Sequence, residues 1–402
     1  MGSVWQGSIP TEIVSEIFKY LTKNDKLSCS MVCQKWKEAL DRRDLWKQIV
    51  ICVDQDFLEP STTLMTQKYL RHIKNLEIGW EKPLIQNRWL PLKVHELTKR
   101  VVKYIFSLIE NDVQVECFKI FEWYDIYPFK KIIYHLSRFL KTQRKLRSLI
   151  FRNANLPKSE CLKIFEACVM SKYTIKSLEI RNNLYIYNTA FDTPEFVVHL
   201  KEFAFLQELK LDYFILSRPR VIDVLAENGQ NYLRLLELFF DETDLESIII
   251  PERKWKKLKQ KCPKLKVSIS IRNVCHYEQI EFIFLMEDIP LSSFSLVTNS
   301  RYNQRRSRDF ERTLLRLINN YHESLECVKL DLKNNKENLD NLLIEIILKC
   351  PRLKKLLFDG IISDDMNLFR EICLYRKSAR GLHVKLLPHK YKSITNIIHM
   401  FS

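Results

Sequence analysis

The sequence has very little glycine, with 6 residues among 402, and only 13 prolines. A phosphate-binding loop or a nucleophile elbow needs glycines at fixed spacing, and neither motif occurs, nor does His-Glu-x-x-His or Cys-x-x-Cys. The scarcity of glycine and proline, together with 46% hydrophobic residues, also argues against long disordered linkers. We therefore expect a folded chain without an active site of its own.

Paired cysteines and long apolar runs are missing as well. The 11 cysteines are odd in number and none has the spacing of a zinc site, so we expect reduced thiols, no metal and no cofactor. No apolar stretch approaches the ~20 residues that cross a bilayer, and the first residues, MGSVWQGS, lack the basic start of a secretory signal. These absences predict an intracellular protein, cytoplasmic, nuclear or both, without a membrane segment.

Positive charge is in excess, with 65 Lys and Arg against 49 acids and a net charge of +16. The first fifty residues hold 8 of these cations and 6 acids, so most of the excess lies after residue 50. Such an excess suits acidic or phosphorylated partners, or nucleic acid. The aromatic residues lie mainly at core spacing rather than among the basic residues, which argues against a nucleic-acid stacking platform.

Residues 9–49 predict three short amphipathic helices. Pro10 suits a first helical position, and Ile13, Ile17 and Leu21 then follow every four residues with Phe18 beside them. Asp25 is the expected cap of the second helix. The second and third helices would carry the apolar residues Leu27, Val32, Cys33, Trp36, Leu40, Leu45, Trp46 and Ile49. A module of about forty residues cannot enclose all of these side chains, so some must meet a partner.

Four segments of this module resemble the F-box in order and spacing: Ile-Pro-x-Glu-Ile at 9–13, Ile-Phe-x-Tyr-Leu at 17–21, Val-Cys-x-x-Trp at 32–36 and Leu-Trp at 45–46. The resemblance implies docking on a Skp-type adaptor and, through it, on a cullin-RING ubiquitin ligase core. It places the adaptor-binding residues at Pro10, Ile13, Ile17, Phe18, Leu21, Val32, Cys33, Trp36, Leu45 and Trp46. The alternative is a helical cap on a larger fold, which would not explain the proline, Val-Cys and two-tryptophan pattern together.

A strand-like pattern, apolar-x-x-apolar-x-apolar, recurs through the rest of the chain. Matches begin at residues 73, 115, 146, 175, 206, 233, 265, 291, 325, 353 and 382. From residue 115 onward they lie 26 to 34 residues apart, which is a repeat signal. The longer interval from 73 to 115 is either a longer repeat or a packing element between the N-terminal module and the repeats.

Two repeats show a helix, then Cys-Pro, then a strand, at 255–271 and 342–358. In the second, Pro351 stops a helix and Leu353, Leu356 and Phe358 point into a shared core. Cys-Pro-x-Leu before a strand resembles the cysteine-containing leucine-rich repeats found behind many F-boxes. Asn228 ends another candidate helix in the same relative place.

The predicted fold class is therefore α/β, an all-α F-box of three short helices followed by a leucine-rich-repeat solenoid, an arc or horseshoe with a parallel inner sheet. The expected domains are an F-box at 1–50, a connecting region with a first irregular repeat at 51–114, and the solenoid at 115–402. Segments at 185–196, 206–217, 226–238 and 263–296 further resemble the F-box-only protein 39 group.

Two basic segments are candidate binding sites, the first for phosphate and the second for a partner protein. The segment at 252–266 has eight Lys and Arg and one acid, and we interpret it mainly as the solvated face of a helix with Trp255 and Leu258 packed inward. The segment at 301–312 is expected to be a loop after a strand, where arginines suit phosphate or carboxylate recognition. Its possible target-binding residues are Arg301, Arg305, Arg306 and Arg308.

The leading hypothesis is a non-catalytic substrate-recognition subunit of a Skp-cullin-F-box ubiquitin ligase. The F-box would bind the adaptor, the repeat arc would hold an unknown target protein for degradation, and catalysis would come from proximity. The alternatives are an F-box scaffold that acts outside ubiquitylation, and a basic repeat protein that binds nucleic acid.

Overall fold

The chain is described here from a computed structural model. The described residues are 9–58, 67–81, 90–123, 130–181, 190–228, 232–241, 249–273, 277–298, 309–334, 337–376 and 382–388. The chain divides into two compact units, unit 1 at Met1–Phe205 and unit 2 at Leu206–Ser402.

Unit 1 begins with three short helices, α1 at Thr11–Phe18, α2 at Lys23–Ser30 and α3 at Gln34–Leu40. A 3-10 turn follows at Arg43–Trp46. Pro10 directly precedes α1, where a residue without an amide hydrogen loses no helical bond. We call residues 9–46 the N-terminal module.

The predicted second helix, capped by Asp25 and reaching Leu40, is wrong in both respects. Thr22 is the cap, because its hydroxyl accepts a hydrogen bond from the backbone N–H of Asp25 at 3.2 Å. The helix ends at Ser30, since Cys33 is extended, with φ −162° and ψ 165°, and starts the next helix. Apolar spacing alone does not reveal such a backbone break.

The predicted third helix is also wrong, because only the 3-10 turn at Arg43–Trp46 is helical there. Ile49 lies in a strand, β1 at Gln48–Cys52, whose sequence is QIVIC. Three consecutive β-branched residues favour a strand over a helix. The sheet therefore starts within the segment that the sequence analysis assigned to the F-box.

Five parallel strands form the sheet of unit 1, each paired with the next in chain order. They are β1, β2 at Asn75–Gly79, β3 at Cys117–Trp123, β4 at Ser148–Ala154 and β5 at Ser177–Arg181. The helices beyond the module are α4 at Val53–Asp56, α5 at Leu90–Glu110, α6 at Lys130–Lys141, α7 at Lys158–Cys168 and α8 at Pro194–Glu202. Further 3-10 turns lie at Leu70–His72, Val169–Ser171 and Ala190–Asp192.

Unit 2 repeats the same plan with seven parallel strands in chain order. They are β6 at Glu208–Asp212, β7 at Leu235–Asp241, β8 at Lys266–Arg272, β9 at Leu291–Val297, β10 at Cys327–Asp331, β11 at Lys355–Gly360 and β12 at His383–Pro388. The helices are α9 at Tyr213–Leu216, α10 at Val221–Asn228, α11 at Glu252–Lys261, α12 at Tyr277–Phe284, α13 at Phe310–Tyr321, α14 at Asp340–Lys349 and α15 at Asp365–Arg376.

Alternate strand residues face opposite sides of each sheet, and one side is buried. In unit 1 a fully buried row runs through Leu76, Phe118, Leu149 and Leu178, which are paired in register. A row of the same kind in unit 2 joins Val328, Leu356 and Val384. Because a single strand and helix cannot bury such a row alone, stacked copies are needed. We call the other side of the strands the open face.

The repeat prediction is confirmed, since each of the eleven predicted matches contains a strand. The interval from 73 to 115 is one longer repeat, because β2 and β3 pair directly and α5 lies between them in sequence. The helix before Pro351 ends at Lys349, and Leu353, Leu356 and Phe358 are buried as predicted. The predicted fold class, N-terminal helices followed by a leucine-rich-repeat solenoid of parallel strands, is confirmed.

One strand pair departs from regular register. Between β8 and β9, Val267 pairs with Leu291 but Ser268 pairs with Ser293, so Ser292 is an extra residue in β9. Its side chain is buried, and its hydroxyl donates a hydrogen bond to the carbonyl oxygen of Val267 at 3.2 Å. This is a β-bulge, which keeps the apolar residues on the buried side while it shifts the pairing by one residue.

None of the ten cysteines in the described ranges forms a disulfide with another of them. Four are buried, at Cys161, Cys168, Cys262 and Cys350, and burial raises the pKa of Cys161 to about 12. No helix in the described part of the chain is both long and apolar enough to cross a membrane. The same residues contain no cluster of three or more His, Cys, Asp and Glu that could hold a metal ion.

Candidate functional site

The N-terminal module leaves five large apolar side chains in solvent. Their exposed fractions run from 51% to 91%, and they are Ile13, Ile17, Tyr20, Met31 and Val32. Ile13 and Ile17 lie four residues apart on one face of α1, and Tyr20 follows in the turn after that helix. Met31 and Val32 form the turn between α2 and α3. We call these five residues the docking face. Large apolar residues grouped in this way on the surface indicate a protein interaction site.

The opposite face of α1 holds the module together. Val14, Ser15 and Phe18 are buried, and the Ser15 hydroxyl donates to the backbone carbonyl of Ala39 in α3 at 3.1 Å. The Phe18 ring meets the Trp36 ring edge-on at 5.4 Å. The two sides of α1 therefore have different roles, because one packs on α3 and the other is exposed and can contact a partner.

The module is joined to the first repeat by its second tryptophan. The buried Trp46 indole donates to the carbonyl oxygen of Leu40 at 2.6 Å and stacks on Tyr69 with ring centroids 4.2 Å apart. The Tyr69 hydroxyl and the Lys68 ammonium both donate to Asp41. Lys68 first and Tyr69 second hold the pKa of the Asp41 carboxyl below its usual range.

Two lysines of α2 strengthen this junction. The Lys23 ammonium contacts the Asp56 carboxylate and the carbonyl oxygen of Val50, and burial raises the pKa of Asp56. Lys26 is buried, and its ammonium donates to the Leu45 carbonyl at 3.1 Å and lies 5.6 Å from the Trp46 ring centroid. Burial lowers the pKa of Lys26. These contacts hold α2, and with it the turn of Met31 and Val32, beside β1.

The ten residues predicted to bind the adaptor occupy three environments. The exposed ones are Pro10, Ile13, Ile17 and Val32, the half-buried ones are Leu21, Cys33 and Trp36, and the buried ones are Phe18, Leu45 and Trp46. The buried three can affect a partner only by holding the module in shape. Sequence reasoning missed Tyr20 and Met31, although Tyr20 could have been found as the i+7 position after Ile13.

The open face of unit 1 is covered by its own ion pairs. Glu77 bonds Lys119 at 2.6 Å and accepts from Gln48 at 3.0 Å. Further along, the nearly buried Glu179 accepts two hydrogen bonds from Arg152, at 2.6 and 3.0 Å.

The open face of unit 2 changes character along the sheet. Lys210 on β6 pairs with Glu237 on β7 at 3.2 Å, as in unit 1. The next two strands present small hydroxyl side chains, Ser268, Ser270, Ser293 and Ser295. The last three strands present Lys329, Lys355 and Lys385, which we call the lysine patch. None of the three forms an ion pair with a residue in the described ranges.

Of the two basic segments, 252–266 lies within the described residues and most of 301–312 lies outside them. In α11 the predicted packing is confirmed, because Trp255 and Leu258 are buried and most of the lysines are exposed. Lys254 bonds Asp223 at 2.8 Å. The possible target-binding residues Arg301, Arg305, Arg306 and Arg308 lie outside the described residues.

Comparison with known protein families identifies the N-terminal module. Residues 7–52 match the F-box-like family, a range that contains the docking face and β1. The chain therefore carries an F-box-like domain at its N-terminus, followed by leucine-rich repeats. This architecture is typical of non-catalytic adaptor or receptor proteins.

Two solved structures are similar to this chain. One is the leucine-rich repeat-containing protein LegL7 from Legionella pneumophila, which is 14% identical, with 66% of this chain and 80% of that chain covered and a TM-score of 0.35. The other is TLR13 in its complex with ssRNA13, which is 11% identical, with 81% of this chain and 38% of that chain covered and a TM-score of 0.31.

Proposed function

We propose that this protein is the substrate-recognition subunit of a Skp-cullin-F-box ubiquitin ligase. The observation that carries the proposal is the docking face, five exposed apolar side chains within a segment that matches the F-box-like family. Full burial of one such side chain contributes about 1.5–3 kcal/mol, so several together suffice for a specific complex. The adaptor would cover this face and bring the chain to a cullin-RING core.

The repeats would hold the target protein. In this arrangement the chain supplies no catalytic group, and ubiquitin transfer is accelerated because the target is held near the charged enzyme. The junction of Lys23, Lys26 and Trp46 supports this role, since it fixes the N-terminal module to the start of the sheet and to the first repeat. The domain boundaries, the ten adaptor-binding residues and the resemblance to the F-box-only protein 39 group stay predictions.

The test is co-purification of the adaptor and the cullin with the tagged full chain from cells. The variant Ile17→Asp with Met31→Asp places two carboxylates on the docking face and should lose both partners. The matched control is Ile249→Asp with Met366→Asp, which changes side chains of the same kinds and similar exposure far from the module in sequence. Equal recovery of the adaptor with both variants, or recovery with neither, would overturn the proposal.

The same experiment separates the scaffold alternative. Recovery of the adaptor without the cullin, together with no protein whose lifetime depends on Ile17 and Met31, would favour an F-box scaffold outside ubiquitylation. Proteins that bind the wild type and persist longer when the docking face is disabled would be candidate targets.

A further inference from the structure

The lysine patch lies on the open face of the last three strands of unit 2. In the pairing register, Lys355 neighbours Cys327 and His383, and Lys329 and Lys385 lie on either side of Leu357. Since adjacent strands are about 4.8 Å apart, the backbones of Lys329 and Lys385 are roughly 10 Å apart. Three ammonium groups thus share a surface about three strands wide.

The patch differs from two open-face lysines elsewhere in the described strands. Lys119 on β3 and Lys210 on β6 occupy open-face positions too, and each is bonded to a glutamate on a neighbouring strand. At the patch, the neighbouring positions hold Cys327, Leu357 and His383 instead. Like charges that form no ion pair repel one another, so an incoming anion would relieve the repulsion.

Carboxylates limit the patch along the strand direction. Asp331 and Asp359 occupy the ends of β10 and β11. At the other end, Glu326 accepts from Lys354 at 2.9 Å and also contacts Lys266. A long polyanion laid along the strands would meet these acids, whereas a short anionic segment laid across them would not. Size and charge therefore favour an acidic peptide over nucleic acid.

The strands beside the patch suit a peptide main chain. Ser268, Ser270, Ser293 and Ser295 carry side chains too small to fill the open face, and their hydroxyls can donate to and accept from peptide groups. Leu357 offers one apolar contact among the lysines. An extended peptide would thus cross from a hydroxyl surface onto a cationic one.

We propose that the open face of β8–β12 binds a short acidic segment of a partner protein, with the partner's carboxylates on Lys329, Lys355 and Lys385. That this partner is the target of a ubiquitin ligase rests on the proposed function, but the binding itself does not. The recognised feature is several Asp or Glu side chains close together in an extended segment.

The test uses the full chain and a fluorescent peptide of about ten residues in which Glu alternates with Ala, at about 50 mM salt. Anisotropy should show binding to the wild type and a loss of about tenfold or more for Lys329→Ala/Lys355→Ala/Lys385→Ala, since each exposed charge pair is weak but three act together. The matched control, Lys256→Ala/Lys257→Ala/Lys261→Ala, removes the same charge from exposed positions of α11 and should change binding less than about twofold.

Three further arms make the result decisive. The Lys→Arg triple variant of the patch should still bind, and a peptide with Gln in place of Glu should not. A single-stranded oligonucleotide of similar charge should bind more weakly than the acidic peptide. No binding to the wild type, equal loss in the two Ala triples, or tighter binding of the oligonucleotide would overturn the proposal.

The docking-face variant Ile17→Asp with Met31→Asp separates this proposal from the proposed function. It should bind the acidic peptide as the wild type does while losing the adaptor. For the wild type, peptide binding without adaptor recovery would sink the ligase role alone, and adaptor recovery without peptide binding would sink the acidic-segment proposal alone.

Discussion

The open faces of the two units use the same strand positions in different ways. In unit 1, Glu77 and Glu179 bind the neighbouring Lys119 and Arg152, so the cations are neutralised by their own sheet. In unit 2 this arrangement continues only to Lys210 and Glu237, and the last three strands carry lysines without such partners. The comparison teaches that a repeat fold can leave cations available to a ligand when the acidic residue on the neighbouring strand is missing. No new basic side chain is needed for this.

The crowding of Gly79 by Phe121 on the neighbouring strand of unit 1 gives the largest expected effect. A Cβ at Gly79 would collide with the backbone carbonyl of Phe121 and lie 2.7 Å from its ring, so Gly79→Ala should cost about 2–4 kcal/mol of unfolding free energy. In unit 2, Gly360→Ala would meet only side-chain atoms, those of the buried Phe358 and Asn334, and should cost less because a side chain can shift further than a backbone carbonyl. Urea unfolding of both variants checks the order, and a larger loss for Gly360→Ala would contradict it.

Removing the ion pair between Glu179 and Arg152 on the open face of unit 1 should have the next largest effect on stability. Glu179→Gln removes the charge that holds Arg152 and should lower the unfolding free energy by about 2 kcal/mol, because Glu179 is nearly buried. The control is Glu166→Gln, which loses an exposed pair with Lys141 at 3.1 Å and should cost less than about 0.5 kcal/mol. Equal losses would show that the pairing in unit 1 contributes no special stability.

A smaller effect should appear as a pH dependence at the edge of the patch. Lys266 first and Lys354 second hold the pKa of the Glu326 carboxyl below its usual range. A depressed folded-state pKa gives stability that is present above about pH 4.3 and is lost as the pH falls through the folded-state pKa. Wild type should therefore lose up to about 1 kcal/mol more than Glu326→Gln on acidification, since both lysines are largely exposed.

Thermal unfolding at pH 7 and pH 3 measures this difference. Glu323→Gln is the control, because Glu323 is exposed and nearby in sequence and has no ion pair with a described residue. A wild-type pH dependence that Glu326→Gln leaves unchanged would show that the two lysines do not stabilise this carboxylate.

The smallest expected effect is on the patch itself. Lys355→Ala should change the unfolding free energy by less than about 0.5 kcal/mol and in the stabilising direction, because it removes repulsion and no ion pair. Lys119→Ala, its counterpart on the open face of unit 1, should cost about 1 kcal/mol, since it leaves Glu77 without its cation. Destabilisation of the same size in both variants would remove the distinction between the two faces.

The fold was largely predictable because its signals are local. Leu353, Leu356 and Phe358 show how three apolar positions in six residues mark a strand, and Pro351 marks where the preceding helix must stop. The sequence did not reveal β1 at Gln48–Cys52, because its apolar residues also continue the helical pattern of the F-box-like domain. The helix break at Cys33 was missed because it depends on backbone conformation.

The candidate sites were predictable only in part. Ile13 and Ile17 were identified by their spacing, and Tyr20, which continues that spacing, was missed. The exposure of Met31 in the turn after α2 has no such signal in the sequence. The pairing of Glu77 with Lys119 joins strands 42 residues apart, so it follows from register and not from local pattern. The lysine patch could not be found from sequence for the same reason, since its members come from three different strands.

The extra Ser292 in β9 is a one-residue insertion in the pairing of two neighbouring repeats. Beyond Val267, each residue of β8 pairs with the residue of β9 that is one place later in the sequence than in a regular ladder. Repeats removed or exchanged between β9 and β12 would keep neighbouring side chains in step. A chimera without Ser292 would pair Leu291, Ser293 and Phe294 with Val267, Ser268 and Ile269 as a regular ladder, so the later strands would keep their alignment. This serine is therefore a local insertion, and the array can be cut and rejoined on either side of it.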